Sequence, residues 1–585
     1  MSSTMIKEAR SVKRLLSRAT TSAVGVVFCA AAQAAAPGIS GNPVTGVTGT
    51  FNLTAQPAYL NQPDGAAVYS WGYGCVTGSS PSFLPASLGD ALSELKQAAP
   101  ACSSMQVPGP TLIVTEGTTV IINLTNNLPN SAGSTSILFP GFTVTATAPA
   151  SANQPAGCTS KASPTTAGLL TTEAAPGCIV TYTFTASAPG THAYYSGTQG
   201  DLQVEMGLYG ALIVLPKSVP AACNTTVTNL YGKRDYGTAS GIDGFPEKDF
   251  RLAHAAYDHP RSCYDREYLF QWAEMDPRIH KQAEAQALAK DGCTPGAMGC
   301  SLNVQTEPYH PAYFLINGRS MPDVMDPNYA GEYPHQPYNG NPHMHPGELT
   351  LIRTIGQGRW QHPFHEHANH VRILARDGNL ILSPTNPAQN LAGVLMFNTD
   401  TTPGQAFDGI FYFTGRGLNW DAYGHHTGTD TADSNAVAPC VPDANGYYTS
   451  NVAALNYYEW CQDHDKALQV NPFGDVAAGG PATLPDANVF TNGAWYGGSP
   501  YLGPDASLRG NAPACASSAG SNNVSAGCTN LQPANTQANP ANERGWAFMW
   551  HSHNEREITT NNVFPGGMLM MMLVDTREFA IDESQ

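Results

Sequence analysis

Two groups of closely spaced histidines are the residues of this sequence best suited to chemistry. They are His362-Pro-Phe-His365-Glu-His367-Ala-Asn-His370 and His551-Ser552-His553. Alternate side chains of a β-strand leave the same face, so each His-x-His pair directs two imidazoles to one side. Two such strands side by side would bring four nitrogens together, and imidazole suits copper, zinc, iron and nickel. We therefore predict a metal site formed by His365, His367, His551 and His553.

Surface or hydrogen-bonded core histidines are the competing interpretation of these groups. For an isolated histidine that interpretation would be the better one, but two His-x-His pairs flanked by strand residues favour metal binding. A third group, His343-Met-His345, precedes Pro346-Gly347. There a loop without metal is at least as good an interpretation.

Short strands are the elements that must position these histidines. Runs of β-branched or alternating apolar residues lie at 111–114, 119–124, 180–185, 207–214, 266–272, 313–318, 348–353, 371–374, 409–413, 545–550 and 568–574. Strands of this length, separated by turn signals, are typical of β-sandwiches. The 57 Gly and 45 Pro residues, with only 12 % charged residues, exclude a coiled coil, a helical solenoid and a collagen. Residues 281–290 contain good helix formers and predict one short helix.

The strand-rich segments form two blocks, which predict two domains. The first domain spans residues 42–216, and the second combines 265–416 with 543–580, while 217–264 is a linker. Between 417 and 542 the composition shifts to Gly, Ala, Asn, Pro, Ser and Asp, which indicates a long insertion in the second domain. Four cysteines lie in this insertion, so we expect disulfides to pin it.

Residues 1–34 have the pattern of an export signal. A basic stretch that ends at Arg18 precedes the apolar residues 23–32, and Ala32-Gln33-Ala34 fits a small-x-small cleavage site. The alternative is an uncleaved anchor, for which the apolar stretch is short. Because no other apolar run reaches 18 residues, we expect no membrane span in the mature chain. The predicted location is the periplasm, the extracellular space or the cell surface.

The cysteines agree with export. Of the 13 cysteines, Cys29 lies in the signal, and the rest form pairs of sequence neighbours. These pairs are Cys75/Cys102, Cys158/Cys178, Cys223/Cys263, Cys293/Cys300, Cys440/Cys461 and Cys515/Cys528. Exported proteins retain disulfides, so six bridges are the favoured interpretation, with neighbour pairing as the simplest connectivity. Thiolate metal ligands are the alternative.

Several motifs resemble those of the multicopper oxidase family. Gly109-Pro-Thr, Glu116-Gly117 and Asn123-Leu resemble the opening of the family's first domain, and residues 207–214 resemble its closing strand. Residues 362–370 are similar to the family's HPxHLHGH, and residues 545–553 resemble its terminal GxWxxHCH. The likeness covers residues 105–216, 313–416 and 544–575. It implies an all-β fold of two cupredoxin-like domains, each a Greek-key β-sandwich, with copper as the cofactor.

The sequence departs from the family at half of the ligands of the three-copper cluster. Ser136-Ile-Leu138-Phe-Pro140-Gly141 stands where the family has HxHG, and Ala193-Tyr-Tyr195-Ser-Gly197 stands in place of WYHSH. The surviving half corresponds to His365, His367, His551 and His553. The resemblance therefore implies a reduced cluster that binds one or two copper ions, or another divalent metal.

The position of the family's blue, type 1 copper is also altered. Ser552 stands in place of the cysteine ligand and Glu557 in place of the second histidine. His362 matches the first histidine, and Met568 is the candidate axial residue. A hydroxyl cannot provide the thiolate that such a site needs. His362, Glu557 and Met568 are therefore either a second, harder metal site or the surroundings of a hydrogen-bonded Glu557–His362 pair without metal.

Together these features predict an exported, multicopper-oxidase-like protein that binds copper through a reduced histidine cluster. It is either a copper-dependent oxidoreductase without a type 1 site, acting on a small molecule or a metal ion, or a non-catalytic metal-sequestering, structural or partner-binding protein. The net charge of −17 argues against nucleic acid as a partner, because phosphate contacts require clustered cations. Association of copies into a homo-oligomer is compatible with the sequence.

Overall fold

The computed structural model of the chain describes residues 36–41, 48–79, 81–89, 101–148, 154–155, 158, 171–223, 249–416, 441–450, 457–462, 498–501, 545–575 and 581. The predicted signal, most of the predicted insertion and the middle of the predicted linker lie outside these residues. Within the described part the protein is almost entirely β-structure, which confirms the predicted all-β class. The helices in this part are all too short or too polar to cross a membrane.

Two five-stranded sheets form the N-terminal half. Their strands are β1 (Gly38–Ser40), β2 (Thr48–Asn61), β3 (Ala67–Cys75), β4 (Ser82–Leu84), β5 (Leu112–Thr115), β6 (Thr119–Asn126), β7 (Thr145–Thr147), β8 (Ile179–Thr185), β9 (Gly190–Tyr195) and β10 (Tyr209–Leu215). One sheet has the order β4-β1-β5-β10-β9 and the other β3-β2-β6-β8-β7. Every second residue of β6 and β8 is buried, as their sequence alternation predicts. Ile122 of one sheet and Leu212 of the other share one buried cluster, so the sheets form a sandwich.

The C-terminal half forms a second sandwich. Its strands are β11 (Arg266–Met275), β12 (Tyr313–Ile316), β13 (His343–Met344), β14 (Leu349–Gly356), β15 (His362–Glu366), β16 (Val371–Arg376), β17 (Asn379–Leu380), β18 (Leu395–Met396), β19 (Asn398–Thr401), β20 (Ala406–Tyr412), β21 (Gly498–Tyr501), β22 (Gly545–Ser552) and β23 (Leu569–Asp575). One sheet runs β12-β11-β14-β20-β16-β17 with β18 beside β16, and the other runs β13-β23-β22-β15-β19 with β21 beside β22. Phe270 and Trp550, from opposite sheets, pack in one core. The sheets follow the two predicted blocks, whereas the domain boundaries themselves stay a prediction.

In the described residues, two α-helices accompany the strands. The short helix α1 (Gly200–Gln203) precedes β10, and α2 (Pro277–Ala289) lies where the sequence predicts a helix. Asp276 caps the start of α2, since its side chain accepts a hydrogen bond from the amide of Arg278. The predicted insertion has a strand that its composition does not indicate. This strand, β21, pairs with the start of β22, a partner far along the chain.

A buried ion-pair network joins the two sandwiches. Arg353 is 1 % exposed, and its Nε lies 2.9 Å from Glu267 Oε2 and its Nη1 3.7 Å from Asp408 Oδ1. Asp408 also accepts hydrogen bonds of 2.5 Å from the hydroxyls of Thr191 and Tyr257. Because Thr191 belongs to β9 of the first sandwich, the network fixes how the second sandwich sits against the first.

Four disulfides follow the predicted neighbour pairing. They join Cys75 to Cys102, Cys158 to Cys178, Cys223 to Cys263, and Cys293 to Cys300. Cys461 is also disulfide-bonded. The remaining predicted members, Cys440, Cys515 and Cys528, lie outside the described residues.

Thiol labelling of the unfolded but unreduced chain, without its predicted signal, should find no free thiol. Each native bridge limits the freedom of the unfolded chain and is typically worth about 2–4 kcal/mol. Reduction should therefore lower Tm, and non-reducing peptide mapping should recover the peptides of Cys75 and Cys102 as one species. Two or more labelled cysteines would contradict the six predicted pairs.

Candidate metal centre

Strands β15 and β22 bring the two histidine groups together as antiparallel neighbours. His365 lies directly opposite His551, and Phe364 lies opposite Ser552. Because side chains alternate along a strand, the two histidines leave the sheet on one face, while the fully buried Phe364 and Ser552 point to the core. Strand β15 ends at Glu366, so His367 follows one residue beyond the strand.

Three imidazoles converge on the outer face of this sheet. His365, His367 and His551 each offer one nitrogen, and these atoms all lie within 4.8 Å of one another. The Nε2 atoms of His367 and His551 are 3.2 Å apart. Two nitrogens that bind a tetrahedral metal at about 2.0–2.1 Å lie roughly 3.3–3.4 Å from each other. This pair therefore already has the spacing that a shared metal ion requires.

His553, the fourth predicted ligand, lies beside the converging three. Its ring centroid is 4.7 Å from that of His365 and 6.1 Å from that of His551. Its backbone amide donates to the carbonyl of Pro363 (2.8 Å), which ties the end of β22 to β15. His553 is exposed, and it is not part of the group whose nitrogens lie within 4.8 Å.

Backbone carbonyls orient two of the converging rings. Nδ1 of His365 lies 2.6 Å from the carbonyl oxygen of Phe397, and Nδ1 of His551 lies 2.7 Å from that of Ser552. A carbonyl only accepts, so each Nδ1 carries the proton and each Nε2 keeps a lone pair. Histidines that bind metals are usually held by such a bond from the other ring nitrogen. In this tautomer assignment His367 Nε2 donates to His551 Nε2. If the proton of His367 moved to its Nδ1, both Nε2 atoms would offer a lone pair to a metal ion.

The environment favours the neutral form of His365 and His551. Burial lowers the pKa of His365 to about 4, an effect that the Phe397 carbonyl opposes and the neighbouring imidazoles reinforce. Burial also lowers the pKa of His551. Because a metal binds the neutral imidazole, these two residues need not lose a proton to bind an ion at neutral pH.

Glu366 occupies the spacer between His365 and His367 and points to the core. It is completely buried, and its Oε1 accepts a hydrogen bond from Thr399 Oγ1 (2.8 Å). Burial raises the pKa of Glu366 to about 8. The carboxyl is therefore mostly protonated at neutral pH and places no full negative charge behind the imidazoles. No role was predicted for Glu366 from the sequence, although burial in a core-facing strand position is a common cause of a perturbed carboxyl.

His362 is enclosed by two carboxylates at the altered blue-copper position. Its Nδ1 lies 2.9 Å from Glu557 Oε2, and its Nε2 lies 2.8 Å from Glu274 Oε2. Glu557 also accepts hydrogen bonds from Ser552 Oγ (2.5 Å) and Asn554 Nδ2 (2.9 Å). Both ring nitrogens of His362 thus have a carboxylate partner, which agrees with the predicted Glu557–His362 pair without metal. A metal ion could bind His362 only by displacing one of these carboxylates.

The carboxylates also set the charge of His362. Burial lowers the pKa of His362, but hydrogen bonds and charge attraction from Glu274 and Glu557 outweigh it and raise the pKa to about 9. The ring is therefore an imidazolium at neutral pH. Glu274 was not predicted as a site residue from the sequence; it lies in β11, where every residue is buried. Met568 is buried in the apolar core, and its amide donates to the Glu557 carbonyl (2.8 Å).

The third histidine group does not point to the cluster. His343 forms part of the short strand β13, and its Nδ1 lies 2.5 Å from Asp575 Oδ2. Nδ1 of His345 lies 3.1 Å from the carbonyl oxygen of Asp575. These contacts attach β13 to the end of β23.

Comparison with known proteins connects the first sandwich to a family. Residues 94–219 match the model of the multicopper oxidase family. A solved "Multicopper Oxidase mgLAC" is similar with 14 % identity over 91 % of this chain and 88 % of that one, at a TM-score of 0.39. A blue copper oxidase from Nitrosomonas europaea has 13 % identity over 89 % of this chain and 85 % of its own, at a TM-score of 0.39. A copper nitrite reductase from the same organism has 18 % identity over 62 % of this chain and 84 % of its own, at a TM-score of 0.33. A search of curated proteins found no match.

The family match confirms the multicopper oxidase resemblance, and with the paired sheets it supports a cupredoxin-like fold. The matched residues end before β11, so they do not include the histidine cluster. At these identities and TM-scores the likeness to solved structures carries no residue-level correspondence. The ligand set therefore rests on the geometry of the cluster and stays a prediction.

Proposed function

We propose that this chain is an exported copper-binding protein of the multicopper-oxidase type that lacks a blue site. The copper ligands are His365, His367 and His551, with His553 available as a fourth. The observation that supports this most is the convergence of three imidazole nitrogens within 4.8 Å, two of the rings being oriented by backbone carbonyls. Neutral imidazoles suit copper and zinc, and the family match in the first sandwich favours copper.

The donor set fits one ion per chain better than two. The three nitrogens surround a single point, and the described residues offer no carboxylate or thiolate within this group. Paired metal ions, about 3.5–4 Å apart, need ligands for each of them. A reduced half-cluster of imidazoles therefore supports a mononuclear site with an open position. Bound copper would supply one-electron redox chemistry at such a position.

The chain's own residues leave the site accessible from solvent. His365 is buried, whereas His367 and His551 are half-buried. Phe397, with 48 % of its surface exposed, packs its ring 5.9 Å from that of His365 and borders the cluster. A small molecule or a metal ion can therefore reach the imidazoles, in keeping with the predicted substrate classes.

The altered blue-copper position limits how electrons would enter. Ser552 and the Glu274–His362–Glu557 group replace the thiolate and the imidazole pair that a type 1 copper needs. A substrate would therefore deliver electrons directly to the histidine site. The missing type 1 copper, which relays electrons in the family, also favours a second candidate function. In that function the protein sequesters copper without catalysis.

Copper-dependent turnover distinguishes these two functions. With dioxygen supplied as the electron acceptor, we expect the copper-loaded protein to oxidise a phenol or a low-valent metal ion slowly. The zinc-loaded protein should be inactive, because zinc has no redox chemistry. Tight binding of about one copper per chain without turnover would assign the sequestering function instead. Failure to bind copper at all would contradict the proposal.

A further inference from the structure

A cavity of about 420 Å³ lies beside the loop that carries the histidines. One wall comes from the second sandwich and consists of Asn369, Tyr412, Thr414 and Arg416. The other wall comes from the predicted insertion and consists of Asn445, Tyr447 and Tyr458. Its volume falls in the range of small-molecule sites, about 300–1,000 Å³.

A hydrogen bond joins the two walls, and other bonds brace each wall within itself. The amide of Trp460 in the insertion donates to the carbonyl of Thr414 (3.2 Å), and Tyr447 and Trp460 form an antiparallel bridge. On the sandwich side, Asn369 Nδ2 donates to the carbonyl of Tyr412 (2.6 Å). Cys461, next to Trp460, is disulfide-bonded. The segments that line the cavity are therefore held in place by hydrogen bonds and, beside Trp460, by a disulfide.

Arg416 is the cationic residue of the cavity lining. Its guanidinium lies 5.9 Å from the ring of Trp460. It forms no ion pair with any carboxylate in the part of the chain that the structure describes. The neighbouring Asp443 accepts hydrogen bonds from the amides of Asn445 (2.7 Å) and Tyr447 (3.1 Å) and from the Thr449 hydroxyl (2.8 Å), so its carboxylate is engaged within its own turn.

The remaining lining is aromatic and hydrogen-bonding. Tyr447 and Tyr458 stack on each other, with ring centroids 5.1 Å apart and planes 17° apart, and Tyr412 lies 6.3 Å from Tyr458. Flat tyrosine surfaces accept a ring with little loss of side-chain entropy. The amides of Asn369 and Asn445 offer donors and acceptors for polar groups on that ring.

We propose that this cavity binds a small ring-bearing carboxylate, with the carboxylate on Arg416 and the ring against the tyrosines. An arginine without an ion-pair partner selects an anion, and its planar fork matches a carboxylate with two parallel hydrogen bonds. Two ligand sources share this chemistry: an aromatic acid and a uronic acid. This inference goes beyond copper binding and gives part of the insertion a binding role.

Calorimetric titration of the metal-free, full-length mature protein tests this inference. The probes are 4-hydroxybenzoate and galacturonate, each compared with a neutral counterpart, 4-hydroxybenzamide and galactose. We expect one of the two acids to bind at least about tenfold more tightly than its neutral counterpart, since a charge-assisted pair replaces a neutral contact. Binding of 4-hydroxybenzoate would identify the ligand as an aromatic acid, and binding of galacturonate would identify it as a uronic acid.

Variants locate the binding. Arg416→Gln should weaken binding of the acid at least about tenfold. Arg416→Lys should retain part of the affinity, because it keeps the positive charge but loses the two parallel guanidinium donors. Arg372→Gln, which changes an exposed arginine outside the lining, is the matched control and should bind as the parent does. Equal binding of acid and neutral probe, or an unaffected Arg416→Gln, would overturn the inference. Because no metal is present, such a failure leaves the copper proposal untouched.

Discussion

Replacing His367 and His551 together with alanine should abolish tight copper binding. These residues supply the two Nε2 atoms that are 3.2 Å apart, and their loss leaves the converging group with one nitrogen. Removing residues that merely orient a ligand already costs about 10–100-fold in metal affinity, so loss of two ligands should weaken binding by more than about a hundredfold. Equilibrium titration with a competing chelator measures this change.

Single variants refine that result. His310→Ala changes an exposed histidine outside the cluster and should leave the affinity unchanged. His553→Ala should have a smaller effect than either change in the converging group, because its nitrogens lie outside the 4.8 Å set. If the His367/His551 double variant binds copper as tightly as the parent, the proposed ligands are wrong.

His362→Gln should destabilise the fold by about 3–5 kcal/mol, because it leaves two buried carboxylates without their shared cation. Glu274 and Glu557 are 2 % and 1 % exposed, so water cannot easily replace the imidazolium. The free energy of unfolding, measured by urea denaturation with the disulfides intact, reports the change. His310→Gln serves as the matched control and should fall within about 0.5 kcal/mol of the parent.

The same variant should alter the dependence of stability on pH. Since the pKa of His362 is raised to about 9 in the folded state, its contribution is complete below the unfolded value of about 6.5 and is lost as the pH rises through 9. The stability difference between parent and variant should therefore be largest near pH 6, shrink between about pH 6.5 and 9, and level off above pH 9. A difference that stays constant from pH 6 to 10 would contradict a charged His362.

Local patterns were sufficient to predict many of the strands, but not how the strands pair. The alternation in β8 and the apolar methionine run of β23 both became half-buried or core strands, as their periodicity indicates. The two His-x-His groups also begin in strands, but the pairing of these two strands is a contact between distant segments. Their apolar spacing favours burial of one face and leaves the histidines on the other.

Contacts between distant segments were beyond local patterns. Glu274 reaches His362 only because β11 and β15 belong to the two facing sheets of one sandwich, and nothing near either residue specifies that packing. The network of Arg353, Glu267 and Asp408 is equally non-local. The short strand β21 likewise depends on its partner β22 and not on its own composition. Register and sheet packing decide such contacts, and both are properties of the whole fold.

The electron paramagnetic resonance and visible spectra of the mature protein loaded with Cu(II) test the central claim most directly. If imidazole nitrogens alone hold the metal, about one copper per chain should give nitrogen hyperfine structure, a wide copper splitting and only weak visible absorption. These signals should disappear in the His367/His551 double variant. An intense blue band with a narrow copper splitting would show that a thiolate reaches the metal, and it would contradict both the ligand set and the interpretation of Ser552.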